Sequence, residues 1–265
     1  MARFIKIPNV VFTDSTLPKV ESYEDKITAM PDIKGWFRAR EDTVMYEPNG
    51  EMVWLNDIEN GLPCRQASVA MQPTLVENVV QGHASLVWPG DKNANLIWDG
   101  QTNIGVDAKT TRIIVLRAAL VEGYTSVPFA FASDVAAGNT KRNALYYRYS
   151  SNQLEFAVDS PSNYGGGSLV SAGEWVFAIC SYDETLNKNS LSINGSESLT
   201  LTINEPSTGL SDNLIIGSQS IFGAGAWNGD IAEVMYIEKD LLAAENVNEL
   251  TLIKNYLYSK FGINP

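Results

Sequence analysis

The chain has 265 residues, a net charge of −12 and a pI near 4.5. An acidic surface of this kind repels phosphate backbones and favours solubility, which argues against nucleic-acid binding. No apolar run approaches the ~20 residues that span a bilayer, so no membrane insertion is expected. A single histidine, His83, removes most histidine-dependent catalysis and most zinc sites.

The first residues, MARFIKIPNVVFTDSTLPKV, lack the pattern of a signal peptide. Arg3, Lys6, Pro8 and Asn9 interrupt the apolar positions, and no small-residue cleavage site follows. The expectation is a protein that folds where it is made, in a reducing cytosol. Cys64 and Cys180 then read as free thiols, with a disulfide as the alternative. Residues 1–32 mix the apolar clusters Phe4–Ile7 and Val10–Phe12 with Pro8, Pro18 and Pro31. They read as an extended N-terminal arm for anchoring or assembly.

From Trp36 onward the pattern is one of short strands. In TTRIIVLRAAL, Ile113, Val115 and Arg117 fall on one face and Ile114 and Leu116 on the other. VPFAFAS, NALYYRYS and QLEFAVDS follow, each bounded by turn residues. EWVFAICSY is apolar on both faces, as a central strand buried on both sides would be. NSLSINGSESLTLTIN reads as a hairpin turning at Asn194-Gly195. DNLIIGS and GDIAEVMYI complete the set. No helical period precedes Asp240. Many short strands at this spacing indicate an all-β sandwich or barrel.

The C-terminal segment changes period. Asp240 can cap a helix over residues 240–261, with Val247, Leu250, Ile253, Leu257 and Phe261 forming one apolar stripe and Gly262 at the left-handed C-cap. Such a stripe must be buried, and the flank of a sandwich is the surface available.

WLNDIENGLPCRQASVAMQPTLVEN, GHASLVWPG and NLIWDG, followed by EWVFAIC, LSINGS, NLIIGS and WNGDIAEVMYI, resemble concanavalin A-like, laminin-G-like jelly-roll modules. YLYSKFGI is similar to the terminal helix of many bacterial and viral members. The resemblance covers roughly residues 33–264. It implies a jelly-roll domain over 33–265, with the arm outside it. It does not imply one function, because this fold carries lectins, adhesins, enzymes and virion proteins.

Glycoside hydrolysis on such a fold needs two carboxylates across a cleft. Asp57 and Glu59, and Asp230 and Glu233, are the nearest acidic pairs. Asp57 reads as a turn residue and Glu233 as an outer-face or edge residue, so no catalytic residue is assigned. His83 lacks a partner in sequence. YGGGS at 164–168 precedes no helix and fails as a phosphate cradle. No cofactor is required, although the resemblance allows calcium at Asp99, Asp107 and Asp230.

Loop aromatics are candidates for stacking on sugars. Tyr124, Tyr164, Phe222 and Trp227 lie near Gly-rich turns, and Tyr147 and Tyr149 share one face of a strand. The glycan-binding set is Tyr124, Tyr147, Tyr149, Tyr164 and Trp227. Trp36, Trp54, Trp88, Trp98 and Trp175 read as core, and the resemblance points Trp227 inward too.

The expectation is a non-enzymatic virion structural protein, made in the host cytoplasm and displayed on a bacteriophage particle. Head decoration is favoured, with a glycan-binding or adhesion role. Its partners are other virion proteins through the arm, host surface glycans and further copies of itself. A tail-fibre receptor-binding lectin and a polysaccharide-degrading enzyme are the alternatives.

Overall fold

A computed structural model describes residues 21–90, 94–100, 108–119, 125–132, 142–158, 167–202, 213–218 and 226–263. Helix α1 (Tyr23–Thr28) comes first, followed by β1 (Ile33–Arg38), β2 (Val44–Tyr46), β3 (Met52–Trp54), β4 (Cys64–Gln66), β5 (Thr74–Val80), β6 (His83–Trp88), β7 (Leu96–Trp98) and β8 (Lys109–Ala118). Next come β9 (Thr125–Ala132), β10 (Arg142–Arg148), β11 (Gln153–Val158), β12 (Ser168–Leu169), β13 (Trp175–Asp183), β14 (Lys188–Ile193) and β15 (Leu199–Thr202). β16 (Asn213–Ile216), β17 (Gly229–Ile237) and helix α2 (Val247–Phe261) complete the order.

Two antiparallel sheets result. One runs β15-β14-β13-β8-β17-β6-β5, and the other β12-β11-β10-β9-β16-β7-β4-β3-β2. β17 pairs with β8 along its length; its other edge takes β6 over Gly229–Ile231 and β1 over Glu233–Ile237. This is the two-sheet sandwich, one of the forms the strand pattern allowed, in the jelly-roll form that the resemblance implied.

Period-two alternation places the cores. Ile114, Leu116 and Ala118 of β8 face the other sheet, among Trp54, Trp88, Trp98 and Trp227. Ile113 and Val115 face the opposite way, into a second core with Ile27 of α1 and Ile253, Tyr256, Leu257 and Phe261 of α2. β13 divides likewise, with Val176, Ala178 and Cys180 inward and Phe177 and Ile179 under the helices. The first sheet is therefore buried on both faces at its centre, and every residue of β17 is buried. Each large apolar side chain removed from water contributes about 1.5–3 kcal/mol, so the helical layer is part of what holds the fold.

Two expectations at the helices change. The chain over 22–32 is not an extended arm. Ser22 and Asp25 form a reciprocal capping box that starts α1, and Ile27 is fully buried in the second core. Residues 1–20 lie outside the described residues. At the other end the helix begins at Val247, not Leu241. Asp240 Oδ1 accepts from the Leu242 N–H at 2.9 Å, an Asx turn that sends Leu241 into the core, and a 3-10 turn over Ala244–Asn246 follows. Val247 is exposed rather than on the stripe. Gly262 caps the helix at φ 64°, its N–H donating to the Tyr258 carbonyl at 3.1 Å. Cys64 and Cys180 are buried, unpaired thiols.

Candidate functional site

The acidic pairs read from the sequence are tied down one oxygen at a time. Asp57 accepts from Arg38 Nε and Arg40 Nη2, both at 2.7 Å, and its own N–H donates to the Trp36 carbonyl at 2.7 Å. Glu59 is exposed in the turn that Asn60, at φ 60°, closes. Asp230 accepts from Ser85 Oγ and from Arg117 Nε, each at 3.0 Å.

Glu233 differs from expectation. It is 1 % exposed, not on an outer face. The face of β17 that would meet solvent in a bare sandwich is roofed by α2 here. Glu233 accepts from Trp36 Nε1 at 2.5 Å, Tyr256 OH at 3.0 Å and Lys260 Nζ at 2.6 Å. Burial and the Glu233 charge push the Tyr256 hydroxyl well above its ordinary range. The signal in the sequence was faint: Tyr256 and Lys260 stand four residues apart, on one helix face, with a cation following a phenol.

Two clefts flank the C-terminal end of α2. The first, of about 390 Å³, opens between the end of β1, the β5–β6 hairpin and α2. Its walls carry Arg38, Glu41, Glu77, His83, Lys260 and Phe261. The Arg38 guanidinium lies 4.4 Å from the centre of the Trp36 ring. His83 meets Phe261 edge-on at 5.6 Å. Burial and the Lys260 charge hold the imidazole below its ordinary pKa of 6.5. Glu77 is shifted upward, because its protonated carboxyl can donate to the neighbouring Glu41 carboxylate, whose charge also disfavours its ionisation.

This cleft yields a pH prediction. A lowered histidine pKa means that the folded state prefers the neutral ring. Stability is therefore expected to fall as pH drops through about 6.5, because the unfolded chain takes up the proton first. Urea unfolding at pH 7.5 and 5.5 checks it, and His83→Gln is expected to remove that part of the slope.

The second cleft, also of about 390 Å³, lies on the other side of Phe261. Gln81, Glu174, Trp175, Asn194 and the Gly262 cap line it. Gln81 (φ 48°) and Asn194 (φ 50°) each sit in the left-handed region, followed by Gly82 and Gly195, as the tight β5–β6 and β14–β15 turns require.

The aromatics sort differently from the sequence reading. Tyr147 is fully buried, its hydroxyl donating to Asn152 Oδ1 at 3.1 Å or the Val170 carbonyl at 3.0 Å. Trp227 is fully buried, edge-on to Tyr147 at 6.2 Å. Neither ring has a face open to a sugar, because both belong to the inner core of the sandwich. Tyr149 is half-buried, with its hydroxyl on the Asn228 carbonyl at 2.9 Å. Tyr124 and Tyr164 lie outside the described residues. Trp36, Trp54, Trp88 and Trp98 are core as expected, but Trp175 is half-buried and lines the second cleft.

Two of the three calcium candidates are held within the protein. Asp99 accepts from Arg65 Nε at 2.7 Å, and Asp230 is held by Arg117 and Ser85. Asp107 lies outside the described residues. Among the described residues no three His, Cys, Asp or Glu side chains converge.

Residues 121–246 match the family model for the concanavalin A-like lectin/glucanases superfamily. Over this stretch the chain is similar to concanavalin A-like domains. Solved structures agree in fold. The binding domain of Paraclostridial Mosquitocidal Protein 1 superposes with a TM-score of 0.61 at 10 % identity, covering 88 % of this chain and 53 % of that one. Domain 4 of AbnA, an extracellular arabinanase of Geobacillus stearothermophilus solved with arabinotriose, gives 0.54 at 14 %, covering 83 % and 98 %. Trypanosoma rangeli sialidase gives 0.57 at 12 %, covering 86 % of this chain and 34 % of its own. The chain thus spans about a third of the sialidase, and at these identities the likeness is one of fold. No curated protein matches the chain in sequence.

Proposed function

We propose that the chain is a non-enzymatic, glycan-binding module. The observation that carries this reading is the state of the acidic groups. Asp57, Asp230 and Glu233 are each held by arginine or lysine donors within the protein. Carboxylate catalysis needs one group protonated and its partner ionised, on either side of a bond. Here the carboxylate oxygens are instead taken up by arginine and lysine donors of the protein itself. The clefts beside α2, by contrast, present side chains to solvent. The fold neighbours support recognition as the role, since they include a toxin's binding domain and an arabinanase domain solved with arabinotriose.

The finer part of the reading is display in many copies on a bacteriophage particle, as head decoration or as a tail-fibre tip, with residues 1–20 and neighbouring copies providing attachment. It rests on the resemblance drawn from the sequence. Multiple copies make a weak site effective, because each later contact is intramolecular.

A glycan array probed with the single chain and with the chain coupled to beads tests the reading. Binding is expected to be weak for the single chain and roughly 10²-fold stronger on beads. Retention of no glycan in either form overturns it.

A further inference from the structure

We propose that the cleft between Trp175 and the C-terminal cap of α2 is a saccharide subsite that takes an uncharged sugar ring. The inference rests on the glycan-binding reading and assigns it a place. The volume of about 390 Å³ lies within the ~300–1,000 Å³ range of small-ligand sites.

The lining chemistry selects the ligand. A pyranose presents C–H groups on one face and hydroxyls around its rim. The half-buried indole of Trp175 offers a π surface to the C–H face, and the Arg117 guanidinium, 5.1 Å from the ring centre, braces it. Gln81 and Asn194 bring amides, which donate to and accept from hydroxyls. Asn194 Oδ1 is engaged by the Phe177 N–H at 3.0 Å, which leaves its NH₂ to donate. Among the described residues that line it, Glu174 carries the one charged side chain. A carboxylate accepts from sugar hydroxyls but repels phosphates and acidic sugars. The charged cleft across Phe261, with Arg38, Lys260, Glu41 and Glu77, lacks an amide pair beside an indole.

The frame is rigid. Gln81, Asn194 and Gly262 converge from two hairpin turns and a helix cap, all with left-handed backbone. The Asn194-Gly195 turn is fastened to α2, with Tyr258 OH donating to the Asn194 carbonyl at 3.1 Å and Lys254 Nζ to the Gly195 carbonyl at 2.6 Å. Little is left to order when a ligand enters, which is where weak sugar sites otherwise lose affinity.

The test is a nitrogen–proton NMR titration of the full chain with methyl glycosides of glucose, galactose, mannose and N-acetylglucosamine, and with maltose. At least one is expected to shift the Trp175 indole N–H, the signal missing in Trp175→Leu. Glucuronic acid and glucose 6-phosphate are expected to leave it in place. Gln81→Gly keeps the left-handed turn but removes the amide, and is expected to weaken binding at least tenfold at unchanged melting temperature. Glu77→Gln, on the other cleft, is expected to bind as the parent does. A sugar that binds without moving the Trp175 signal, with parental affinity for Gln81→Gly, overturns the subsite and leaves the glycan-binding reading standing. Preferential binding of the acidic sugars also overturns the subsite. A parent that binds neither these sugars nor any arrayed glycan overturns both.

Discussion

Leu257→Asp is expected to lower stability by roughly 5 kcal/mol, enough to leave much of the chain unfolded at 37 °C. Leu257 is fully buried between α2 and the first sheet, in the core that also holds Ile27, Trp36, Ile253 and Phe261. The substitution forfeits about 1.5–3 kcal/mol of apolar burial. It then places a carboxyl where nothing apolar can solvate it, which costs a further few kcal/mol even if the group protonates. Against a typical net stability of about 5–15 kcal/mol, the sum is large. Val247→Asp, on the same helix but exposed, is expected to change stability by less than about 0.5 kcal/mol. Thermal melting of the two variants decides the point. A Leu257→Asp protein that melts with the parent would show that α2 is not docked on the sheet.

Glu233→Leu is the second large effect, expected at about 3–5 kcal/mol. The loss is not that of a favourable ion pair, since burying two charges roughly offsets their attraction. It comes from what remains: the Lys260 amine, the Tyr256 hydroxyl and the Trp36 indole N–H lose their shared acceptor. Glu233→Leu combined with Lys260→Met removes the stranded charge and is expected to recover a good part of the loss. Urea unfolding of parent, single and double variants forms the cycle. Equal stability of Glu233→Leu and the parent would mean that the three donors find other partners.

The same residues show what the sequence could reveal. β8 and β13 were legible because they carry the apolar runs Ile113–Leu116 and Trp175–Cys180, bounded by polar residues. The Asn194-Gly195 turn and the Gly262 cap were legible because only a few residue types tolerate left-handed backbone there. α1 was not, since six residues are too short to show a helical period, and its one buried contact, Ile27, is tertiary. Asp240 was misjudged because the side chain that caps a helix equally closes an Asx turn. The site was harder still. Facing is a property of register, and a single sheet position decides whether an aromatic points in or out. Tyr147, read on a strand face, and Trp227, read beside a turn, both fill the core, while Trp175, leading an apolar strand, stands at a cleft. Glu233 was placed outside because nothing in β17 itself announces that Tyr256 and Lys260, 23 and 27 residues later, cover it.

Turnover is the most direct test of the central claim, recognition without chemistry. Each glycan retained by the protein is incubated with it in excess for hours, recovered, and weighed by mass spectrometry. The account predicts that every glycan returns with its mass unchanged. It also predicts that Asp57→Asn, Glu59→Gln, Asp230→Asn and Glu233→Gln bind the glycans as the parent does, if folded. Fragments or a gain of water in the products, abolished by one of those four substitutions in a folded protein, would contradict it.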